Sequence, residues 1–216
     1  MWNNKTLQGP GFAWAVASLR RRGAAELAAR HMGFFNSTPA MAPCLAAAVA
    51  RMEEQDAEPF EVARFKESAA GPLAAAGDQL FWATLRPLAG LAGLVGSAFG
   101  PLPAALLSAA AYNVPQGLFR VLGTTWGYED EAAGVGRCIG AARRATIAGK
   151  AFASVLLGLL AGALLMGFGD LYGSGGELVF LCAATGMGWL LLSPRVSPER
   201  VCVALLALSG GLSMVF

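Results

Sequence analysis

The feature that most limits what this chain can become is Ala151–Phe168, eighteen residues without one charged side chain. A helix needs about 20 mainly apolar residues to cross the hydrocarbon core of a bilayer, with a lower limit near 17. From Pro87 onward the sequence is mostly Ala, Gly, Leu and Val. Over all 216 residues, 56% are hydrophobic and 14% charged, against roughly 25% charged in an average soluble domain. A soluble protein of this size needs a charged surface, and this chain lacks the residues to make one. Helices close their own backbone hydrogen bonds and so suit lipid. The composition predicts an all-α, polytopic integral membrane protein with about four to five membrane segments, some broken or re-entrant.

Several function classes drop out. The net charge is only +2 and no basic patch interleaves with aromatics, so nucleic acid is not the expected partner. Cys44, Cys138, Cys182 and Cys202 show no CxxC spacing, and a free Cys in an apolar stretch packs as a small hydrophobe. Neither a metal nor another cofactor is expected. No Walker loop, zinc-ligand spacing or Gly-x-Ser-x-Gly elbow is present, which argues against a self-contained ATPase or hydrolase. The start has no charged, apolar and small-residue succession of a cleaved leader, so the expectation is an uncleaved chain inserted by its later helices.

Two regions follow. Residues 1–66 form an amphipathic, partly polar helical region and carry most of the charge, including Arg20-Arg21-Arg22 and the run from Arg51 to Glu58. Residues 67–216 form a membrane-spanning transport region. In the front, Phe12, Val16 and Leu19 fall at helical spacing, predicting an amphipathic helix over Gly11–Phe35 that lies at a membrane interface or binds a partner. Thr38-Pro39 and Pro43 break the chain, and residues 40–52 are either a short helix or a re-entrant piece. Arg51–Lys66 is too charged for lipid. In the back, Leu88–Tyr112 is interrupted by Gly100-Pro101-Leu102-Pro103 and reads as one kinked span or two short segments. Ala151–Phe168, Leu178–Leu192 and Val201–Phe216 complete the candidate spans.

Orientation follows from the cations between spans. The Asn113–Lys150 stretch holds Arg120, Arg137, Arg143, Arg144 and Lys150; Gly169–Glu177 holds none; Ser193–Arg200 holds Arg195 and Arg200. The first and third loops are expected in the cytoplasm, the second outside, and the C-terminus outside.

Two stretches are not generic membrane filler: Arg30-His31-Met32-Gly33-Phe34-Phe35-Asn36-Ser37-Thr38-Pro39, and the run Gly71-Pro72-Leu73-Ala74 through Gly77-Asp78-Gln79-Leu80-Phe81-Trp82-Ala83-Thr84-Leu85-Arg86-Pro87. Both resemble the IID component of mannose-family bacterial phosphotransferase permeases, whose patterns are R-H-x-E-F-F-N-x-x-P and G-P-L-A-G-x-G-D-x-x-F-W-G-T-x-R-P. Trp2-Asn3, Gln8 and Gly11-Phe12 match the family's start; Gly100-Pro101-Leu102, Asn113, Arg120, Gly123 and Gly127-Tyr128 match a later segment. Gly33 stands where the family has Glu, and Ala75 and Ala83 replace glycines. The resemblance implies a subunit of the bacterial inner membrane that forms a hetero-oligomeric permease with a IIC membrane subunit. Such a permease takes up a hexose or amino-sugar while separate IIA and IIB units phosphorylate it. This chain would then accept no phosphoryl group itself. The alternative is a non-transporting membrane scaffold or sensor derived from such a subunit.

Six residues are candidates for contact with sugar. Asp78 can accept hydrogen bonds from sugar hydroxyls, or be held by backbone N–H groups or by Arg86; Gln79 adds an amide beside it. Asn36 offers an amide to hydroxyls, or caps the turn before Ser37-Thr38-Pro39. Trp82 stacks on a sugar ring or anchors at the membrane interface. His31, the sole histidine, reads as a structural hydrogen-bonding group, with no titratable neighbour obvious in sequence to activate it. Gly71-Pro72 and Gly77 are expected to break a helix and present polar backbone.

Overall fold

The computed structural model describes residues 4–18 and 23–172. Among the described residues the α-helices are α1 Gly9–Ser18, α2 Ala24–His31, α3 Ala42–Glu54, α4 Pro59–Gly77, α5 Arg86–Ser97 and α6 Pro101–Tyr172, with a π-helix, Asp78–Leu85, joining α4 to α5. No strand occurs among the described residues; one isolated bridge pairs Leu7 with Phe35. The expected helical class is therefore observed. Residues 1–149 form one compact unit, and the described residues 150–172 belong to a second. The expected spans Leu178–Leu192 and Val201–Phe216, and the loop Ser193–Arg200, lie outside the described residues.

α3 is the axis of the first unit. Cys44 through Ala50 are all buried, as is Glu53 at its last turn. Its alanines present little bulk, so neighbouring helices approach its backbone. In α6, a side chain at Gly127 would collide with the carbonyl of Cys44, which is why that crossing uses glycine. Pro43 in the first turn of α3 starts the helix without loss, since an N–H there has no intrahelical partner. Within residues 40–52, the chain from Ala42 onward is helical.

The single amphipathic helix expected over Gly11–Phe35 is two helices. Gly23 stands at the N-cap of α2 with φ +69°, a left-handed conformation that suits glycine, and α1 packs on α2. The local periodicity is real, but Phe12, Ala13, Val16 and Ala17 of α1 are all buried. Gln8 then ties the returning chain down. Its amide nitrogen donates to the Ser37 carbonyl at 2.7 Å, and the Ser37 N–H donates to its side-chain oxygen at 3.2 Å.

No break occurs at Gly71-Pro72 or Gly77. Pro72 sits inside α4, on an exposed face, where the bond it removes from the Ser68 carbonyl does not strand a core acceptor. The irregularity comes later, as the π-helix, where the Thr84 hydroxyl donates to the Gln79 carbonyl five residues back at 2.8 Å. The helical run Pro59–Ser97, 39 residues, is long and apolar enough to cross a membrane. The position between residues 66 and 67 lies within it, in the middle of α4.

Leu88–Tyr112 is two segments. α5 ends at Ser97, Gly100 turns the chain at φ +111°, and α6 begins at Pro101. The two pack backbone to backbone: a Cβ built on Gly96 would lie 2.7 Å from Ala104 Cα and 2.8 Å from the Pro103 carbonyl oxygen. Asn113–Lys150, expected as a loop between spans, is helical throughout except at Glu131 (φ 46°, ψ −116°), where α6 reverses. Charge made it read as a loop. The arginines ride on helix surfaces, and Arg137 pairs with Asp130 across the reversal at 2.7 Å.

Candidate functional site

A cavity of about 780 Å³ in the first unit lies between the end of α2, the segment 33–36, the last turn of α3 and the first four turns of α4. His31 and Asn36 line it, together with Arg30, Glu53 and Lys66. Asp78, Gln79, Trp82 and Arg86 do not.

The sequence places these groups through helical spacing. Leu45, Val49 and Glu53 recur every fourth residue on the buried stripe of α3, and Val62, Lys66 and Leu73 share one buried stripe of α4. Glu53 is 3% exposed and Lys66 8%. Both were obscured because the run from Arg51 to Lys66 reads by composition as a solvated charged face. The i, i+4 register with Leu45, Val49 and Val62 was the signal that could have found them.

Glu53 holds the polar network. One carboxylate oxygen lies 3.0 Å from His31 Nε2 and the other 2.9 Å from an Arg30 guanidinium nitrogen. Burial pulls the His31 imidazole below its ordinary pKa, and the charges of Lys66 and Arg30 act the same way against the opposing hydrogen bond to Glu53. His31 is therefore neutral near pH 7, with its proton on Nε2 donated to Glu53. A titratable neighbour that local sequence does not reveal is thus present, but as an acceptor that fixes the tautomer. The His31 ring meets Phe12 edge-on, centroids 6.0 Å apart. Lys66 extends between Phe12 and Phe35, its ammonium 4.6 and 5.7 Å from their ring centroids, and donates to the His31 carbonyl at 3.4 Å.

The second group of candidates sits on and beside the π-helix. Asp78 is exposed and accepts from Thr38 Oγ1, which lies 2.9 Å from Asp78 Oδ1 and 3.1 Å from the Ala74 carbonyl, sharing one proton between them. Neither a ring of backbone N–H groups nor Arg86 holds it. Arg86 instead stacks its guanidinium over the Trp82 ring at 4.9 Å. Gln79, Trp82 and Arg86 are all exposed. The two motifs meet at Thr38: a Cβ on Gly77 would lie 2.5 Å from the Thr38 hydroxyl.

The geometry offers a half-open, mainly apolar cavity with polar groups from the first motif, α3 and α4 in its wall, and a Thr38–Asp78 link between the two motifs. Three comparisons bear on what carries such an arrangement. The profile of the PTS system mannose/fructose/sorbose family IID component matches residues 1–166. The mannose-specific EIID component of Escherichia coli strain K12 is 31% identical over 144 residues, covering 59% of this chain and 49% of that protein. The sorbose-specific EIID component of Klebsiella pneumoniae is 36% identical over 116 residues, covering 47% and 42%. The chain spans about half the length of the curated relatives it matches. In structure it resembles a chain of the mannose transporter ManYZ in complex with microcin E492, with TM-score 0.53 and 21% identity over 97% of this chain and 89% of that one. A second solved membrane protein gives TM-score 0.59 at 23% identity with the same coverage; at these identities the likeness is one of fold. With its profile match over most of its length, the chain belongs to the mannose/fructose/sorbose family of phosphotransferase-system IID components.

Proposed function

We propose that this chain is the IID membrane subunit of a sugar phosphotransferase permease, and that with a IIC subunit it forms the path for uptake of a hexose or amino-sugar. The permease sits in the bacterial inner membrane, and separate IIA and IIB units carry the phosphoryl group. The observation that carries this reading is the first motif folded into a cavity wall, with Asn36 and His31 both lining it, in a chain of this family. A neutral imidazole and an amide are suited to hydroxyls, since each can donate or accept. Asp78, Gln79, Trp82 and Arg86, away from that cavity, form a second exposed polar and aromatic face for sugar or for the IIC partner. The Arg-bearing Glu131 reversal lies on the cytoplasmic side and the C-terminus outside.

A second reading, a scaffold or sensor that no longer transports, draws support from Gly33. It lines the cavity where the family pattern has Glu, and a Cβ there would meet nothing within 4 Å. An acid would fit, and this chain lacks it. Sugar phosphorylation driven by phosphoenolpyruvate separates the readings. Membranes holding IIC, IIA and IIB are assayed with and without this chain. Transport predicts activity only with it, reduced about ten-fold by Asn36→Ala, from loss of about 1.4 kcal/mol of contact, and persisting in His31→Gln because no phosphoryl group passes through His31. Phosphorylation indifferent to the chain's presence would leave the scaffold reading.

A further inference from the structure

Lys66 is a buried cation whose surroundings are incomplete. An ammonium has three donors, and among the described residues its single hydrogen bond is the 3.4 Å contact to the His31 carbonyl. Phe12 and Phe35 cover two of its sides. A buried charge without a counter-charge is costly. No acid makes contact with it: Glu53 is engaged by Arg30 and His31, and Glu67, exposed on the cavity wall, acts on Lys66 only through space. The remaining direction is the cavity itself, which Lys66 lines together with Arg30 and Asn36.

We propose that this cavity binds a phosphate-bearing ligand, its oxyanion completing the coordination of Lys66 and drawing further donors from Arg30 and Asn36. A neutral sugar hydroxyl would satisfy a donor but leave the charge uncompensated. A phosphate has enough oxygens for a lysine, an arginine and an amide to converge on it, whereas a carboxylate has two. Lys serves as a point charge toward phosphate, and Arg adds its fork of N–H groups. Two sources share this chemistry: a soluble phosphate monoester such as a hexose phosphate, and the phosphodiester of an anionic lipid headgroup. The site stands on the geometry around Lys66 and does not depend on the transport reading, so its test uses no phosphoenolpyruvate and no IIA or IIB.

The full chain, purified with whatever subunits accompany it, is titrated calorimetrically in neutral detergent with inorganic phosphate, hexose 6-phosphate and the neutral hexose, against chloride at equal ionic strength. A parallel arm melts it in phosphatidylcholine nanodiscs with and without phosphatidylglycerol. Binding of either phosphate ester, weakened ten-fold or more in Lys66→Met and retained in Lys66→Arg, is the expected result. Met keeps the stem between Phe12 and Phe35 while removing the charge. Saturation by the soluble ester marks a metabolite site; a rise in melting temperature with phosphatidylglycerol alone marks a lipid site. Failure of the wild-type protein to respond to both esters above chloride overturns the proposal, whether or not Lys66→Met folds. Neutral hexose binding as tightly as its phosphate, or undiminished phosphate binding by Lys66→Met, overturns it as well.

Discussion

At the scale of single residues, the network around Glu53 governs how the first unit responds to pH. His31 takes up a proton less readily in the fold than in the unfolded chain, because burial disfavours the imidazolium. The unfolded state therefore binds more protons as pH falls below about 6.5, the ordinary value for histidine. The stability His31 contributes is fully present above that pH and is lost as pH drops through the window beneath it. Melting curves between about pH 7 and 5 should show a fall that His31→Gln flattens; an unchanged slope in that variant would place the titration elsewhere. Glu53→Gln keeps shape and one acceptor for His31 but withdraws the charge opposite Arg30. The expected loss is about 1–3 kcal/mol by chemical denaturation at pH 7. That His31 and Asn36 lie close together was legible because one motif holds both. Their partners were not, since the position of Glu53 against His31, 22 residues away, depends on how α2 and α3 pack.

At the scale of elements, the contact between α5 and α6 is set by backbone rather than by side chains. Gly96 faces Ala104, and Gly93 faces Ser108, so the two helices run antiparallel from the Gly100 turn. Gly96→Val inserts branched bulk where the opposing atoms are main chain and cannot move aside; overpacking of this kind costs about 1–3 kcal/mol. Gly90→Ala is the control: its Cβ meets nothing within 4 Å, and an alanine in a helix interior favours the fold by about 0.5–1 kcal/mol. Thermal melts of the two variants should move in opposite directions, and a shared direction would mean that the hairpin does not close this tightly. Gly100-Pro101-Leu102-Pro103 showed that a break was present but did not decide between a kink and a turn. That choice rests on the paired small residues 93, 96, 104 and 108, whose meaning emerges only once two helices are set face to face. Glu131 shows the opposite case. Nothing in Tyr128-Glu129-Asp130-Glu131-Ala132 advertises a turn, since no Gly or Pro is present, and the positive φ at Glu131 is imposed by the packing of the arms on either side.

At the scale of the whole molecule, the described residues include a broad exposed apolar stretch. Leu94, Phe99, Leu102, Leu106, Val114, Leu118 and Val121 all lie open along α5, the turn after it and the first arm of α6. Patches of this extent on a monomer mark membrane or protein contact, and the scarcity of charged residues in the sequence points the same way. Orientation is the part that a helical 113–150 reopens, because its cations no longer sit in a simple loop. In a background lacking the native cysteines, Ser174→Cys should react with an impermeant maleimide in intact cells and Ser197→Cys should not. The reverse labelling would invert the proposed orientation.

The π-helix also makes chain length itself a structural variable. Asp78–Leu85 packs more residues into each turn than an α-helix does, so everything after it is presented at an azimuth that depends on the number of residues within it. Deleting one residue there would let the run close as ordinary α-helix and turn Arg86 and the whole α5 hairpin about the axis, while Asp78 stayed fixed to Thr38 by its hydrogen bond. The eight positions from Asp78 to Leu85 therefore act as a spacer whose count, more than its composition, keeps the two ends of the bundle in phase.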